Sequence, residues 1–295
     1  MPLDDFIIAC FCRIDDDLTM ILTDKRLRSR GPHPRLRDSE VLTMELVGEF
    51  LGLSTDTALF AYFQRHWVAY FPGLVGMHRT TFVRQATALR HLKEQLWQRW
   101  VACLTRQPSV GIIDSFPLPV CQFARAPRCR RFAGEAAFGK DPIVKQTFYG
   151  FRVHVRLALP GIITRFAVVA ANIHERHLVA PLTAQTNGLL IGDRNYWLPE
   201  VAQELGQGGI ILAAPYRSAK RDPFPRWSAA LSRIRYRIDT VFGQLVERMH
   251  IKRVWARDWP HLANRLLRKI CLHTLAVWLC LCKGLAPLRF AQLVA

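Results

Sequence analysis

Two aspartates give the sequence its first chemical content. Asp114 closes the run Gly111-Ile112-Ile113-Asp114 and Asp193 closes Leu189-Leu190-Ile191-Gly192-Asp193, both apolar enough to be central strands of a sheet. A carboxylate at the carboxyl end of such a strand is partly desolvated, which is unfavourable unless it is paired or bound to a metal ion. Residues 106 to 295 hold only 11 of the 23 acidic residues, so neither aspartate belongs to a general acidic surface. On neighbouring strands the two carboxylates converge on one point. Mg2+ accepts oxygen ligands and often uses one or two protein carboxylates plus a substrate phosphate. Two such ions, about 3.5–4 Å apart, serve an in-line displacement at phosphorus. The structural alternative is that Arg194 or Arg152 merely pairs with one of the acids.

A third carboxylate is expected from a helix packed beside those strands, over Arg235 to Leu245. Ile238, Val241, Phe242 and Leu245 form a docking stripe, and Asp239 lies at its edge with Arg235 one turn earlier. Glu247, eight residues on, is the competing third acid. The bland reading makes Asp239 a surface acid paired to Arg235.

Positioning these acids requires a sheet and a helical layer. Short apolar runs predict strands at Ser109 to Asp114, Tyr149 to Leu159, Ile162 to Ala171, Leu189 to Gly192 and Gly209 to Ala213. Helices are expected at about 198–205, 229–249 and 263–282, and Arg/Lys/Pro-rich loops at 121–142 and 215–227. Residues 1–105 read as helical, with segments at 41–51, 56–65 and 79–100. Two short helices followed by a third suggest a helix-turn-helix, with His78, Arg79, Thr80, Thr81 and Arg84 at a helix start where DNA contacts are made. A helical scaffold with a solvated face is the alternative. The expected division is a helical, helix-turn-helix DNA-binding candidate at 1–105, a catalytic α/β domain at 106–250, and a carboxy-terminal helical extension at 251–295 packed on the core.

The net charge of +18 is concentrated: residues 1–105 hold 13 Lys/Arg against 12 Asp/Glu, leaving +17 for the remainder. A single-sign field of that size points to a polyanion. No basic amphipathic helix stands out for a membrane surface. Eight Lys/Arg against two acids fall in 121–156, and fourteen against four in 216–269. From Tyr149 to Leu157 apolar residues alternate with Gly150, Arg152, His154 and Arg156, predicting one core face and one cationic face. The candidate phosphate contacts are Arg130, Arg131, Lys145, Arg152, His154, Arg156, Arg194, Arg235, Arg237, Lys252 and Arg253. Such contacts position DNA without reading its sequence. His154 and His174 read first as hydrogen-bonded structural histidines, and Trp197, Trp255 and Trp259 as core packing before base stacking.

Eight cysteines contain no CxxC pair and read as reduced, mostly buried apolar residues rather than zinc ligands. No export leader opens the sequence, and the longest apolar stretch, Ile270 to Cys282, is shorter than the roughly 20 residues a membrane span needs. A cytoplasmic protein is expected.

Five ordered runs carry a family resemblance: Ile113-Asp114-Ser115-Phe116-Pro117-Leu118-Pro119-Val120-Cys121, Phe148-Tyr149-Gly150-Phe151-Arg152-Val153-His154, Ala171-Asn172-Ile173-His174-Glu175, Gly192-Asp193-Arg194-Asn195-Tyr196 and Arg237-Ile238-Asp239-Thr240-Val241-Phe242-Gly243-Gln244-Leu245. Together they resemble bacterial insertion-sequence transposases of the DDE type, most closely the group catalogued as nine-eighty-two. The resemblance implies a ribonuclease-H-like mixed sheet flanked by helices and preceded by an all-α domain. It implies two Mg2+ ions per site, replaceable by Mn2+, and strand cleavage and transfer at inverted-repeat ends of double-stranded DNA. A homodimer in the bacterial nucleoid follows from the same resemblance. By motif match Asp114, Asp193 and Asp239 are the catalytic, metal-holding acids. The family usually has Glu at the third position, and Asp is about 1.5 Å shorter. A misplacement of about 1 Å can cost on the order of a hundredfold in rate. The competing expectations are a ribonuclease-H-like nuclease without strand transfer and a decayed, non-catalytic DNA-binding protein.

Overall fold

The computed structural model describes residues 1–23, 27, 33–105, 109–141, 144–215 and 227–294. Most of the predicted loop at 215–227 lies outside them. The chain divides into two compact units, one comprising Met1–Ala102, Glu247–His250 and Trp259–Ala295, the other Cys103–Val246 and Ile251–Asp258.

The first unit is helical among the described residues: α1 (Leu3–Leu22), α2 (Asp38–Phe50), α3 (Asp56–His66), α4 (Arg79–Ala88), α5 (Arg90–Leu104) and α9 (Trp259–Cys282). In α1 the buried Phe6, Ile7, Cys10, Ile14 and Leu18 recur every three to four residues, the spacing of one helical face. Helix α2 starts where the Arg37 N–H donates to Glu40 Oε2 at 2.6 Å, and every residue from Val41 to Phe50 is buried. A helix covered all round must satisfy its charges internally. Glu45 and Glu49 do so by meeting Lys93 of α5 and Arg268 and Lys269 of α9. These ion pairs place α9 with the amino-terminal helices. The expected helix at 79–100 breaks at Leu89, between α4 and α5. Lys93 donates to Ala86 O at 2.9 Å across that break.

The second unit is built on β1 (Val110–Gln122), β2 (Ala137–Asp141), β3 (Gln146–Ala158), β4 (Ile162–Ala170), β5 (Gly188–Gly192) and β6 (Ile210–Ala213). Helices α6 (Val179–Thr183), α7 (Pro199–Gln207) and α8 (Ala229–Gly243) accompany them. The strand order is β2-β3-β1-β5-β6, with β4 also paired to β3. β3 is antiparallel to β1, β2 and β4, whereas β5 and β6 run parallel to β1 and β5 respectively. This is a mixed sheet, as the ribonuclease-H-like fold implied by the resemblance requires.

Two glycines fix its geometry. Gly188 enters β5 at φ +89°, and a Cβ there would stand 2.4 Å from Ser109 O. A Cβ at Gly150 would stand 2.4 Å from Leu118 O, where β3 crosses the bulge in β1 at Pro119 to Cys121. Both are contacts only glycine permits. β1 runs eight residues past Asp114 to Gln122, further than predicted. Its β5 side is paired only from Val110 to Ile113, so Pro117 and Pro119 sit where a missing N–H removes no ladder bond.

Candidate active site

The register sets the two aspartates side by side. Ile113 pairs with Gly192 across the parallel β1–β5 ladder, so Asp114 and Asp193 are the next residues on neighbouring strands, which lie about 4.8 Å apart. β5 ends there, and Asp114 stands where β1 loses its neighbour. Each carboxylate is held locally: Asp114 Oδ1 accepts the Ser115 N–H at 2.8 Å. Asp193 Oδ1 accepts the Arg194 N–H at 2.7 Å, and Asn195 Nδ2 donates to Asp193 Oδ2 at 3.4 Å. Asp114 Oδ2 accepts from Arg235 Nη1 of α8 at 3.1 Å.

Burial pushes the Asp114 carboxyl up to about 7. The Ser115 N–H and the Arg235 guanidinium oppose that rise, and the Asp193 and Glu175 carboxylates add to it. A desolvated acid crowded by like charge in this way is a functional-site signature. Oxygen donors with net negative charge suit a hard divalent cation, and Arg235 already supplies positive charge at that point. Among the described residues, however, no three His, Cys, Asp or Glu side chains are grouped closely enough to hold a metal ion.

Helix α8 docks through its predicted stripe. Ile238 and Val241 are buried, and Phe242 meets Phe116 of β1 edge-on at 4.9 Å. Asp239 is one turn from Arg235, on the side of α8 away from the buried Ile238, Val241 and Leu245. Its side chain is exposed, and Arg235 pairs with Asp114 rather than with Asp239. The helix gives way to a π-turn over Gln244–Arg248, which carries the exposed Glu247.

The expected cationic face of β3 is absent. His154 and Arg156 are buried, at 0% and 3% exposure, because the sheet is covered on both faces along this strand. Burial, with Arg152 nearby, pushes His154 down to about 4, so the ring is neutral at pH 7 and shares a 3.1 Å hydrogen bond with Tyr196. Arg156 donates to Thr164 Oγ1 at 3.3 Å. Arg152 is directed inward, to Ser115, Glu175 and Lys140 O. His174 caps a 3-10 turn, accepting the Arg176 N–H.

Arg130, Arg131, Lys145, Arg194, Arg237 and Arg253 are exposed, whereas Arg235 and Lys252 are half-buried. Trp197 packs against the core of the second unit. Trp255 and Trp259 are exposed, contrary to the core packing expected of them. The cysteines are less buried than expected: Cys12, Cys103 and Cys282 are exposed, and only Cys10, Cys271 and Cys280 are buried. Ser115, Glu175 and Tyr196 fall within the resembling runs, but their part in the site comes from contacts across the fold that spacing does not reveal.

Residues 105–258, more than half of the chain, match the family described as the Transposase DDE domain. The chain belongs to the DDE transposase family. It is a DNA transposase, and such enzymes generally work with divalent metal ions. No curated protein matches the sequence. Among solved structures the fold is similar to that of the piggyBac transposase in a cryo-EM synaptic complex with hairpin DNA. Identity is 12% and the TM-score 0.51, covering 96% of this chain and 76% of that one. At that identity the likeness is one of fold. No helix among the described residues of this transposase is long and apolar enough to cross a membrane.

Proposed function

We propose that this transposase cleaves DNA strands at the inverted-repeat ends of an insertion sequence and joins them to target DNA, with Asp114 and Asp193 holding Mg2+ or Mn2+. The adjacent placement of these two carboxylates at the end of β5, one of them half-buried and in contact with a guanidinium, is the observation that carries the reading. When bound, two such ions would activate an attacking hydroxyl and neutralise the leaving oxygen of an in-line displacement. The protein's own part is positional. The Ser115 and Arg194 N–H groups each engage Oδ1 of one aspartate, while Asn195 and Arg235 side chains meet the Oδ2 atoms. Arg235 Nη1 donates to Asp114 Oδ2. Asp239, exposed at the edge of the α8 docking stripe, is the third acid, and Glu247 is its alternative.

Double-stranded DNA is the partner. Arg130, Arg131, Lys145, Arg194, Arg237 and Arg253, with Arg235 and Lys252, are the proposed phosphate contacts. In the helical unit, a cleft lined by His33, Arg35, His78, Thr81 and Arg84 beside the start of α4 is the proposed end-binding surface, and a homodimer would hold two ends together. The test is a strand-transfer assay with labelled terminal-repeat DNA and Mg2+, in which joined products are expected. Cleaved ends without joined products, under conditions where a known transposase joins, would replace this reading with a nuclease. Equal inactivity of the wild type and Asp114→Asn across Mg2+ and Mn2+, with DNA binding retained, would replace it with a DNA-binding protein.

A further inference from the structure

Beside the two aspartates lies a carboxylate that none of these roles uses. Glu175 opens the 3-10 turn Glu175–Leu178 that follows β4. Its Oε1 accepts the Ser115 hydroxyl at 2.9 Å. Arg152 Nη1 donates to Ser115 Oγ at 3.2 Å and to Glu175 Oε1 at 3.3 Å, while Nη2 donates to Lys140 O at 3.0 Å. The fully buried Tyr196 borders Ser115, Glu175 and Asp114 and shares its hydroxyl with His154. Ser115 is also the residue whose N–H holds Asp114 Oδ1, and the Tyr196 N–H donates to Asp193 O at 3.0 Å. Polar contacts therefore connect the residue after Asp114 to the turn that carries Asp193, and Glu175 sits at their centre.

We propose that Glu175 is a positioning residue for the carboxylate pair: acting through Ser115 and Arg152, it fixes the direction in which Asp114 faces Asp193. Three observations support this beyond proximity. A serine hydroxyl is free to rotate, and a charged acceptor selects one orientation with a bond about twice as strong as a neutral one. The turn carrying Glu175 is already made by other groups, since His174 caps it and Leu178 buries its far end. Finally, Glu175 Oε2 is buried without a hydrogen-bond partner among the described residues. A carboxylate kept only for the fold would normally have both oxygens satisfied. Its charge instead acts on Asp114, adding negative potential where a cation would be held.

The inference rests on Asp114 and Asp193 being the cation-holding pair, and the experiment separates the two claims. Binding of Mn2+ alone and Mn2+-dependent nicking of a supercoiled plasmid are measured for the wild type, Asp114→Asn, Glu175→Ala, Glu175→Gln, Ser115→Ala and the Ser115→Ala/Glu175→Ala double variant. Glu175→Ala is expected to lose about tenfold or more in Mn2+ affinity and nicking rate, the scale on which groups that orient a metal ligand act. Glu175→Gln, which keeps an acceptor for Ser115 but not the charge, recovers only part of the loss. The double variant is no worse than Glu175→Ala, as expected for residues acting as one unit. Mn2+ affinity within about twofold of wild type in both Glu175→Ala and Ser115→Ala would overturn the proposal, as would additive losses in the double variant. If Glu175→Ala does not fold, Ser115→Ala decides: weakened Mn2+ binding by a folded protein supports the role, and unchanged binding rejects it. Unchanged Mn2+ binding by Asp114→Asn would instead refute the carboxylate-pair reading.

Discussion

In the helical unit, the buried Glu45 and Glu49 and the half-buried Asp56 pair with the buried Lys93, Arg268 and Lys269. In the sheet unit, Asp114, Asp193 and Glu175 are set, among the described residues, with Arg235 and Arg152. Both groups take charge out of water, but the first is balanced and the second carries a surplus negative charge. Balance marks a structural cluster. Glu49 and its neighbours hold the Arg268 guanidinium well above its ordinary range, against the opposing effect of burial. Surplus marks a site that lacks a partner, and at Asp114 burial wins over the arginine beside it. A balanced cluster leaves no member's charge uncompensated, whereas a group with surplus charge can accept a ligand of opposite sign.

The most severe test of this contrast is removal of the surplus. Asp114→Asn and Asp193→Asn should each reduce strand cleavage by roughly a hundred- to a thousandfold or more, the scale of losing one electrostatic stabiliser. Labelled-end assays at saturating Mg2+ check this, and near-wild-type rates would end the comparison. In the balanced cluster the effect should fall on stability. Glu49→Ala leaves Arg268 and Lys269 buried with too little negative charge, and should cost about 3–5 kcal/mol of unfolding free energy, read from urea titrations.

Asp239→Ala should slow cleavage by about a hundredfold, and Asp239→Glu should retain or raise the rate. Glu247→Gln should change it by less than about threefold if Asp239 is the third acid. A reversal of the Asp239 and Glu247 effects would move that role one π-turn along the chain.

A smaller effect runs opposite to the loss of activity. The Asp114 carboxyl titrates near 7 when folded, against an ordinary 3.8. Between those values the folded state binds the proton that the unfolded chain has released, so stability declines as pH rises from about 4 to about 7. In EDTA, Asp114→Asn should therefore match the wild type below pH 4 and exceed it above pH 7, by on the order of 1–3 kcal/mol. Thermal melts across that range are the measurement, and a pH-independent difference would refute it. Smallest of all, Arg130→Ala and Arg131→Ala should each reduce the slope of log K for DNA against log salt by about one.

How much of this was legible depended on whether a residue's environment is written beside it in the chain. Asp114 and Asp193 were readable because apolar strands flank them and acids are scarce around them. The docking stripe of α8 was readable from its period. β2 was not, because Ala137–Asp141 is a short, half-exposed edge strand containing Gly139 and Lys140, without the apolar alternation that marks a strand. The alternation along β3 was read correctly as a strand but wrongly as two-faced, since nothing local indicates that Arg156 is enclosed. Glu175 was invisible as a site residue because its partner Ser115 lies 60 positions away. Lys93, Glu49 and Arg268 look like solvated charges in any window, and only the packing of α2 on α9 turns them into core.

That balanced cluster also limits how the helical unit can vary. Glu49 meets both Arg268 and Lys269, and Arg268 also meets Glu45 and Asp56. Replacing any one member strands the others, while replacing a matched set with apolar side chains of similar volume can be tolerated or even stabilising. The route between two viable versions of this unit thus passes through paired or grouped exchanges on α2, α3, α5 and α9, and the intermediates carrying a single change are the ones that fail to persist.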